Sequence, residues 1–269
     1  MALQIVSKIK TAAVFCRDCL VPEYLFNKET RSQQNEGLRF FEKARLFFKS
    51  ALICIVSFFF LLSFSGVIIY KFIPPALTPL MIIRAKENIM SGKHVKTRHQ
   101  WVPISKISPN LILAVIASED NKYMQHFGFD FDAIIVANKH NKRSRHALGA
   151  STISQQTAKN IFLWPNRNYI RKGIEVYFTM LIETFWGKKR IMEMYLNEIE
   201  MGDGIFGAEA ASQYYFHKSA LRLSREESAL LASVLPNPRR WRPDKPTSYI
   251  LNCQAWTLWN MNNIEKVEF

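Results

Sequence analysis

The chain has 269 residues, with 36 Lys and Arg against 22 Asp and Glu, and a formal net charge of +14. A hydrophobic content of 48% with 20 Phe excludes a disordered polyelectrolyte, while 10 Gly and 11 Pro exclude collagen-like or low-complexity architecture. Four Cys without tight spacing exclude a disulfide scaffold, and the basic excess asks for an anionic partner, which composition leaves open among nucleic acid, anionic lipid and phosphate.

Residues 1–50 are mixed and polar, with a short amphipathic stretch (Phe40, Phe41, Leu46, Phe47, Phe48) at their end. Cys16 and Cys19 form one CxxC, but no second pair completes a zinc site, so they read as ordinary thiols. Ala51 to Tyr70 then runs for twenty residues without a charge. At about 1.5 Å rise each these span roughly 30 Å, the thickness of a bilayer core. Fifty residues precede the run and no small-residue cleavage site follows it, which argues for an uncleaved anchor rather than a signal peptide. Lys43, Arg45 and Lys49 crowd its start, whereas Lys71 stands alone until Arg84. That asymmetry predicts a cytoplasmic N-terminus and an exported part, residues 71–269, whose single thiol, Cys253, allows no internal disulfide.

Beyond the span, Phe72 to Leu80 is Pro-rich and reads as an extended exit. Helix signals dominate from Trp101 onward. Ser108-Pro109 is an N-cap and first-turn Pro before LILAVIASED. Thr152 with Gln155, and Ser224 with Glu227, are capping boxes, closed downstream by Pro165 and Pro236. Ile170, Ile174, Phe178, Leu181 and Phe185 form a stripe at helical spacing that stops at Gly187. Strand patterns are scarce, so the exported part is expected to be one mainly α domain.

Four clusters could carry chemistry. Glu119, three and four residues after Ile116 and Val115, extends an apolar stripe; desolvation there would raise its pKa towards that of a general base, unless the carboxylate turns to water at the helix end. Asp120 and His126 follow it. Ser151, Thr152, Gln156 and Lys159 gather at a capped helix start, whose free N–H groups suit a phosphate as readily as they make a good structural cap. Arg171 and Lys172 both lie within reach of Glu175, as a groove-facing group or a surface salt bridge. The run from Lys139 to His146 lacks interleaved aromatics and reads as a mobile basic loop, which gives nucleic-acid binding little support.

The segments ASEDNKYMQHFGFD, GASTISQQTAKN, RKGIE, KKRIMEMYLNEIEMGDGIFGAEAAS with QYYF, and ALLASVLPNP stand in this order. Over about residues 100–242 they resemble the successive motifs of the family-51 peptidoglycan glycosyltransferases. Tyr123 replaces a usual Phe and Ala150 a common Gly. The resemblance implies a lysozyme-like α fold behind the transmembrane helix, held in the inner membrane with the catalytic domain on the periplasmic side. It implies polymerisation of lipid II into glycan strands, with inversion at C1 and release of undecaprenyl diphosphate. Glu119 would be the base, Lys172 the main partner of the leaving diphosphate, and Glu175 the second carboxylate, with Arg171, Lys159, Gln156, Ser151, Thr152, Asp120 and His126 around the substrate. No cofactor is required; a divalent ion, Mg or Mn, is the one addition the resemblance allows. The nascent glycan, the membrane and other cell-wall synthesis proteins would be the partners, and Phe127, Phe129, Phe131, Ile134 and Ile135 fit a membrane-dipping segment. Only 31 residues follow Pro238, too few for the transpeptidase domain of class A penicillin-binding proteins, and the one Ser-x-x-Lys, Ser7 to Lys10, falls in the N-terminal segment without a Lys-Thr-Gly after it. Two alternatives compete. A lysozyme-like hydrolase also uses two carboxylates but needs neither anchor nor clustered cations. A non-catalytic membrane-anchored wall scaffold would not need Glu119, Lys172 and Glu175 together.

Overall fold

The computed structural model describes residues 23–92, 97–144, 148–166, 168–264, 267 and 269, with side chains from Lys43 onward. The CxxC at Cys16 and Cys19, and the Ser7–Lys10 pair, lie outside the described residues. The chain divides into two compact units, Met1–Leu62 and Ser63–Phe269.

Helix α1 (Glu23–Phe72) carries the first unit. Its stretch Lys43–Phe72 is long and apolar enough to cross a membrane and is mostly exposed, as a lipid-facing helix must be. Leu52, Ile55, Phe58, Leu61 and Leu62 present their side chains to the surroundings. The helix continues ahead of the uncharged stretch from Ala51, with Lys43, Arg45 and Lys49 in its preceding turns.

The second unit begins with the last turns of α1. Ser63 hydrogen-bonds Tyr177, the Phe64 ring meets Phe185 edge-on, Trp186 Nε1 donates to the Val67 carbonyl and Arg190 donates to that of Tyr70. The expected exit, Phe72 to Leu80, is outside any helix from Ile73 to Thr78 but ends two residues early: Pro79–Met90 is helix α2, capped by the Thr78 hydroxyl, with Pro79 in the first turn where its missing N–H costs nothing. Then follow β1 (Arg98–His99), α3 (Pro109–Glu119), α4 (Phe131–Asn141), α5 (Ile153–Phe162), α6 (Tyr169–Phe185), α7 (Gly187–Glu198), β2 (Glu200–Gly202), β3 (Ile205–Phe206), α8 (Ala208–Phe216), α9 (Arg225–Val234) and α10 (Ser248–Asn263). The small sheet has order β1-β3-β2, parallel between β1 and β3 and antiparallel between β3 and β2, with an irregularity at Glu200 and Gly202. Gly207 holds φ +83 with its Cα against the Asn197 backbone, a place where any Cβ would collide.

The predicted caps form as read. Ser108 caps α3 and both capping boxes are complete. Helix α3 is buried through Leu111, Ala114, Val115, Ile116 and Ala117, the central rod of the core. On one side it meets α9 and α10; α5 packs between α6 and α7. Two expectations fail. Ile170 heads the α6 stripe but is exposed, because the helix begins only at Tyr169 and its first turn overhangs the core. The basic run from Lys139 starts as the last turn of α4 rather than as a loop; residues 145–147 lie outside the described set.

Candidate active site

Two adjoining depressions, sharing Gly149 and Ser151 as a common wall, are lined by all the predicted residues except His126. The larger, about 970 Å³, is lined by Ser151, Gln156, Lys159, Arg171, Lys172 and Glu175. The smaller, about 190 Å³, is lined by Glu119, Asp120, Asp130, Ser151 and Thr152.

Glu119 is the last residue of α3. Its Oε2 accepts from Gln156 Nε2 at 2.7 Å, and Gln156 Oε1 in turn accepts from the Tyr195 hydroxyl at 3.2 Å. That chain fixes which end of the Gln156 amide faces Glu119. Burial pushes the Glu119 carboxyl above the ordinary glutamate value; the Gln156 hydrogen bond and the Lys159 charge pull the other way, and Asp120 adds to the rise. Burial also holds the Tyr195 hydroxyl well above the usual tyrosine range, followed by the charges of Glu119 and Asp120, so it stays a neutral donor. Tyr195 was not singled out from the sequence. Its place inside the fourth motif was the only signal, since its partner is 39 residues away.

The cationic side is built on the first turns of α6, where Asn168 caps the helix by accepting from Arg171 N at 2.6 Å. Arg171 Nη1 donates to Glu175 Oε2 at 2.6 Å and Lys172 Nζ to Glu175 Oε1 at 2.5 Å. Arg171 and Glu175 are buried, whereas the Lys172 side chain is 43% exposed and open to the groove. Arg171 Nε is buried without a hydrogen-bond partner among the described residues. Lys159 enters from α5; burial lowers its ammonium below the usual lysine value, Arg171 and Lys172 add to this, and Glu175 and Glu119 oppose it.

Three further predicted residues are turned into the fold. Asp120 accepts from Ile153 N at 3.0 Å and pairs with His126 Nε2 at 2.8 Å. Thr152 donates to the Gly128 carbonyl at 2.7 Å while its oxygen caps α5. Gly128, at φ +82, brings its Cα against Thr179 and Glu183, closing the turn that carries this carbonyl. Together they brace the start of α5 beside Glu119. Ser151, by contrast, is exposed.

Both Glu175 oxygens pair with cations, and no group of three or more Asp, Glu, His or Cys side chains converges among the described residues.

A mainly helical domain with a partly desolvated carboxylic acid on one side of a groove and clustered cations on the other is the setting of a group transfer from an anionic leaving group. The chain belongs to the transglycosylase family, whose sequence model, described as Transglycosylase, matches residues 86–262. It is similar to the biosynthetic peptidoglycan transglycosylase of Bacteroides thetaiotaomicron, 52% identical over 78% of this chain and 84% of that protein. The protein of the same name from Bdellovibrio bacteriovorus is 51% identical over 74% and 80%. That from Caulobacter vibrioides is 56% identical over 69% and 78%.

Proposed function

We propose that the chain is a peptidoglycan glycosyltransferase that polymerises lipid II at the outer face of the inner membrane. Family membership carries the reaction class, and the observation that carries the assignment of roles is the pairing of Glu119 with Gln156 opposite the Arg171–Lys172–Glu175 cluster.

The acceptor sugar's 4-hydroxyl is a poor nucleophile until its proton is removed. Glu119, ionised and oriented by Gln156, takes that proton as the oxygen attacks C1 of the growing chain. The C1–O bond to diphosphate breaks with its electron pair leaving on the phosphate oxygen, and configuration at C1 inverts. A diphosphate needs its growing charge met more than it needs a proton. Lys172, open to the groove, would meet it, while the buried Arg171 and Lys159 add positive potential behind it. Glu175 keeps both cations in one geometry and sits behind them.

Support for a lipid-linked substrate comes from the surface. Phe127, Phe131, Ile134, Ile135 and Val136 are exposed around the start of α4, next to the smaller depression, while Phe129 is half-buried. Exposed apolar clusters of this kind suit a bilayer surface. Together with the apolar helix Lys43–Phe72, they support reaction at the membrane on a substrate whose lipid stays embedded. Orientation follows from Lys43, Arg45 and Lys49 ahead of the span.

The direct test is purified full chain with labelled lipid II. Glycan polymer should accumulate with release of undecaprenyl diphosphate. Free disaccharide instead of polymer would make the protein a hydrolase, and no turnover at all would leave a scaffold.

A further inference from the structure

Helix α6 carries Lys172 on a face whose remaining residues have no part in the chemistry above. Beyond Lys172 its exposed residues are Gly173, Val176, Met180 and Thr184, none of them charged, on a protein with a net charge of +14; its two glutamates, Glu175 and Glu183, are buried. Tyr169, Lys172, Val176 and Met180 follow one another at three- and four-residue spacing and so form one stripe. Tyr169 is 97% exposed, Val176 40% and Met180 44%. Tyr169 and Lys172 line the larger depression, so the stripe starts in the groove. Two neighbours flank it. Around the helix, Val176 and Met180 lie between Tyr177 on one side and Thr179 with Glu183 on the other. Tyr177 hydrogen-bonds Ser63, and further along Phe185 meets Phe64, which brings the last turns of α1 to that side. Gly128 packs on Thr179 and Glu183, which brings the turn with the exposed Phe127, leading to the exposed Phe131, to the other. Gly173 keeps the floor low beside Lys172. It is a residue type that weakens a helix, and no packing requires it, since nothing lies within 4 Å of the place its Cβ would take.

We infer that this trough holds the first isoprene units of the substrate's polyprenyl chain, with Val176 and Met180 as its floor. The ligand class rests on the lipid-linked glycosyl transfer proposed above. A diphosphate at Lys172 fixes where the chain begins, because the first isoprene carbon is bonded to it through one oxygen. From Lys172 to Met180 the helix rises about 12 Å. Along that length the stripe offers a bare backbone at Gly173, the methyl groups of Val176 and the thioether of Met180. A methyl-branched hydrocarbon gains by leaving water for such a surface, and the unbranched Met side chain adapts to its irregular outline. The direction also fits. Ser63 and Phe64 meet α6 beyond Lys172, so a chain that starts at the cation and follows Val176 and Met180 runs towards the end of the apolar helix, and thus towards the bilayer that takes its remainder. Simple contact with a bilayer would not explain why the stripe begins inside the groove, beside the one groove-facing cation of the Arg171–Lys172–Glu175 cluster.

The test uses the full chain in detergent and compares binding of geranyl diphosphate, which carries two isoprene units, with binding of inorganic diphosphate, both by calorimetry. Wild type should bind the geranyl compound at least about tenfold more tightly, the excess reporting apolar surface removed from water. In Val176→Gln/Met180→Gln that ratio should fall to about threefold or less, with the affinity for inorganic diphosphate unchanged, whereas Val176→Leu/Met180→Leu should keep it. Both positions are exposed and Gln is a good helix former, so melting should hold; should the pair melt early, Met180→Gln alone should lower the ratio. A wild type that binds the two diphosphates equally well would overturn the inference. So would a ratio that survives the Gln substitutions, even if flotation with neutral vesicles or sedimentation changes, since the stripe would then be a contact with the bilayer or between copies. An equal fall in both affinities would also overturn it, by placing the effect at the cations. Failure of wild type to polymerise lipid II with the chain-dependent excess intact would instead sink the proposed reaction and leave the trough standing.

Discussion

Glu119 shows how a single residue sets both activity and stability. Its carboxyl is held above the ordinary range by burial, so as a base it works only once pH exceeds that raised value. The acid limb of kcat/KM should therefore lie above about 4.3, the value of an unperturbed glutamate, and it should vanish from the residual activity of Glu119→Gln. The stability consequence has the opposite sign. The protonated form fits the folded state better, so its contribution is complete below the unfolded value and is lost as pH rises through the folded one. Glu119→Gln should thus melt at or above wild type at neutral pH, with no advantage near pH 3; a lower melting temperature at neutral pH would mean that the carboxylate is stabilised where it sits.

The lysine and the glutamate of the cationic cluster should behave differently. Lys172 is open to the groove, so Lys172→Ala should lower turnover with little change in melting. Glu175→Gln leaves the buried Arg171 guanidinium without its countercharge, a kind of loss that typically costs about 3–5 kcal/mol, and both melting and turnover should fall. Equal melting of the two variants would show that Glu175 is not the clamp. Tyr195→Phe probes the orientation of Gln156 alone: the fold should lose about 1 kcal/mol and the rate should drop while KM hardly moves.

At the scale of elements, α5 carries Gln156 and Lys159 and is positioned from its start. Thr152 caps it and is itself tied to the Gly128 carbonyl. Thr152→Ala should cost about 1 kcal/mol and reduce turnover in proportion to the misplaced Gln156, whereas Thr152→Ser should restore both. Caps such as this were legible in the sequence because they are local chemistry: Ser108-Pro109, Thr152 with Gln155 and Ser224 with Glu227 each need only a few neighbouring residues. Helix α2 has the same signature in Thr78-Pro79, but the prolines before it read as a continuing extended exit. Strands of two or three residues have no period to detect, so the β1-β3-β2 sheet left no trace. The role of Tyr195 and the overhang of Ile170 depend on tertiary packing and could not be read from spacing. The ordered motifs named the candidate site residues, but that Asp120, Thr152 and His126 brace the fold emerged only from their partners.

For the whole molecule, the proposed lipid-linked substrate would confine the reaction to a membrane surface, and the apolar helix Lys43–Phe72 is long enough to anchor the chain there. Reporter fusions at residues 1 and 269 should place the first in the cytoplasm and the second outside it; a cytoplasmic residue 269 would remove the catalytic domain from its substrate. Removal of the acceptor proton by Glu119 can be followed through the rate of labelled lipid II polymerisation by Glu119→Gln beside wild type, with thermal melting of both as the control for folding. The rate should fall by about 10²–10⁴-fold with melting preserved. A near-wild-type rate in a variant that melts normally would contradict the assignment.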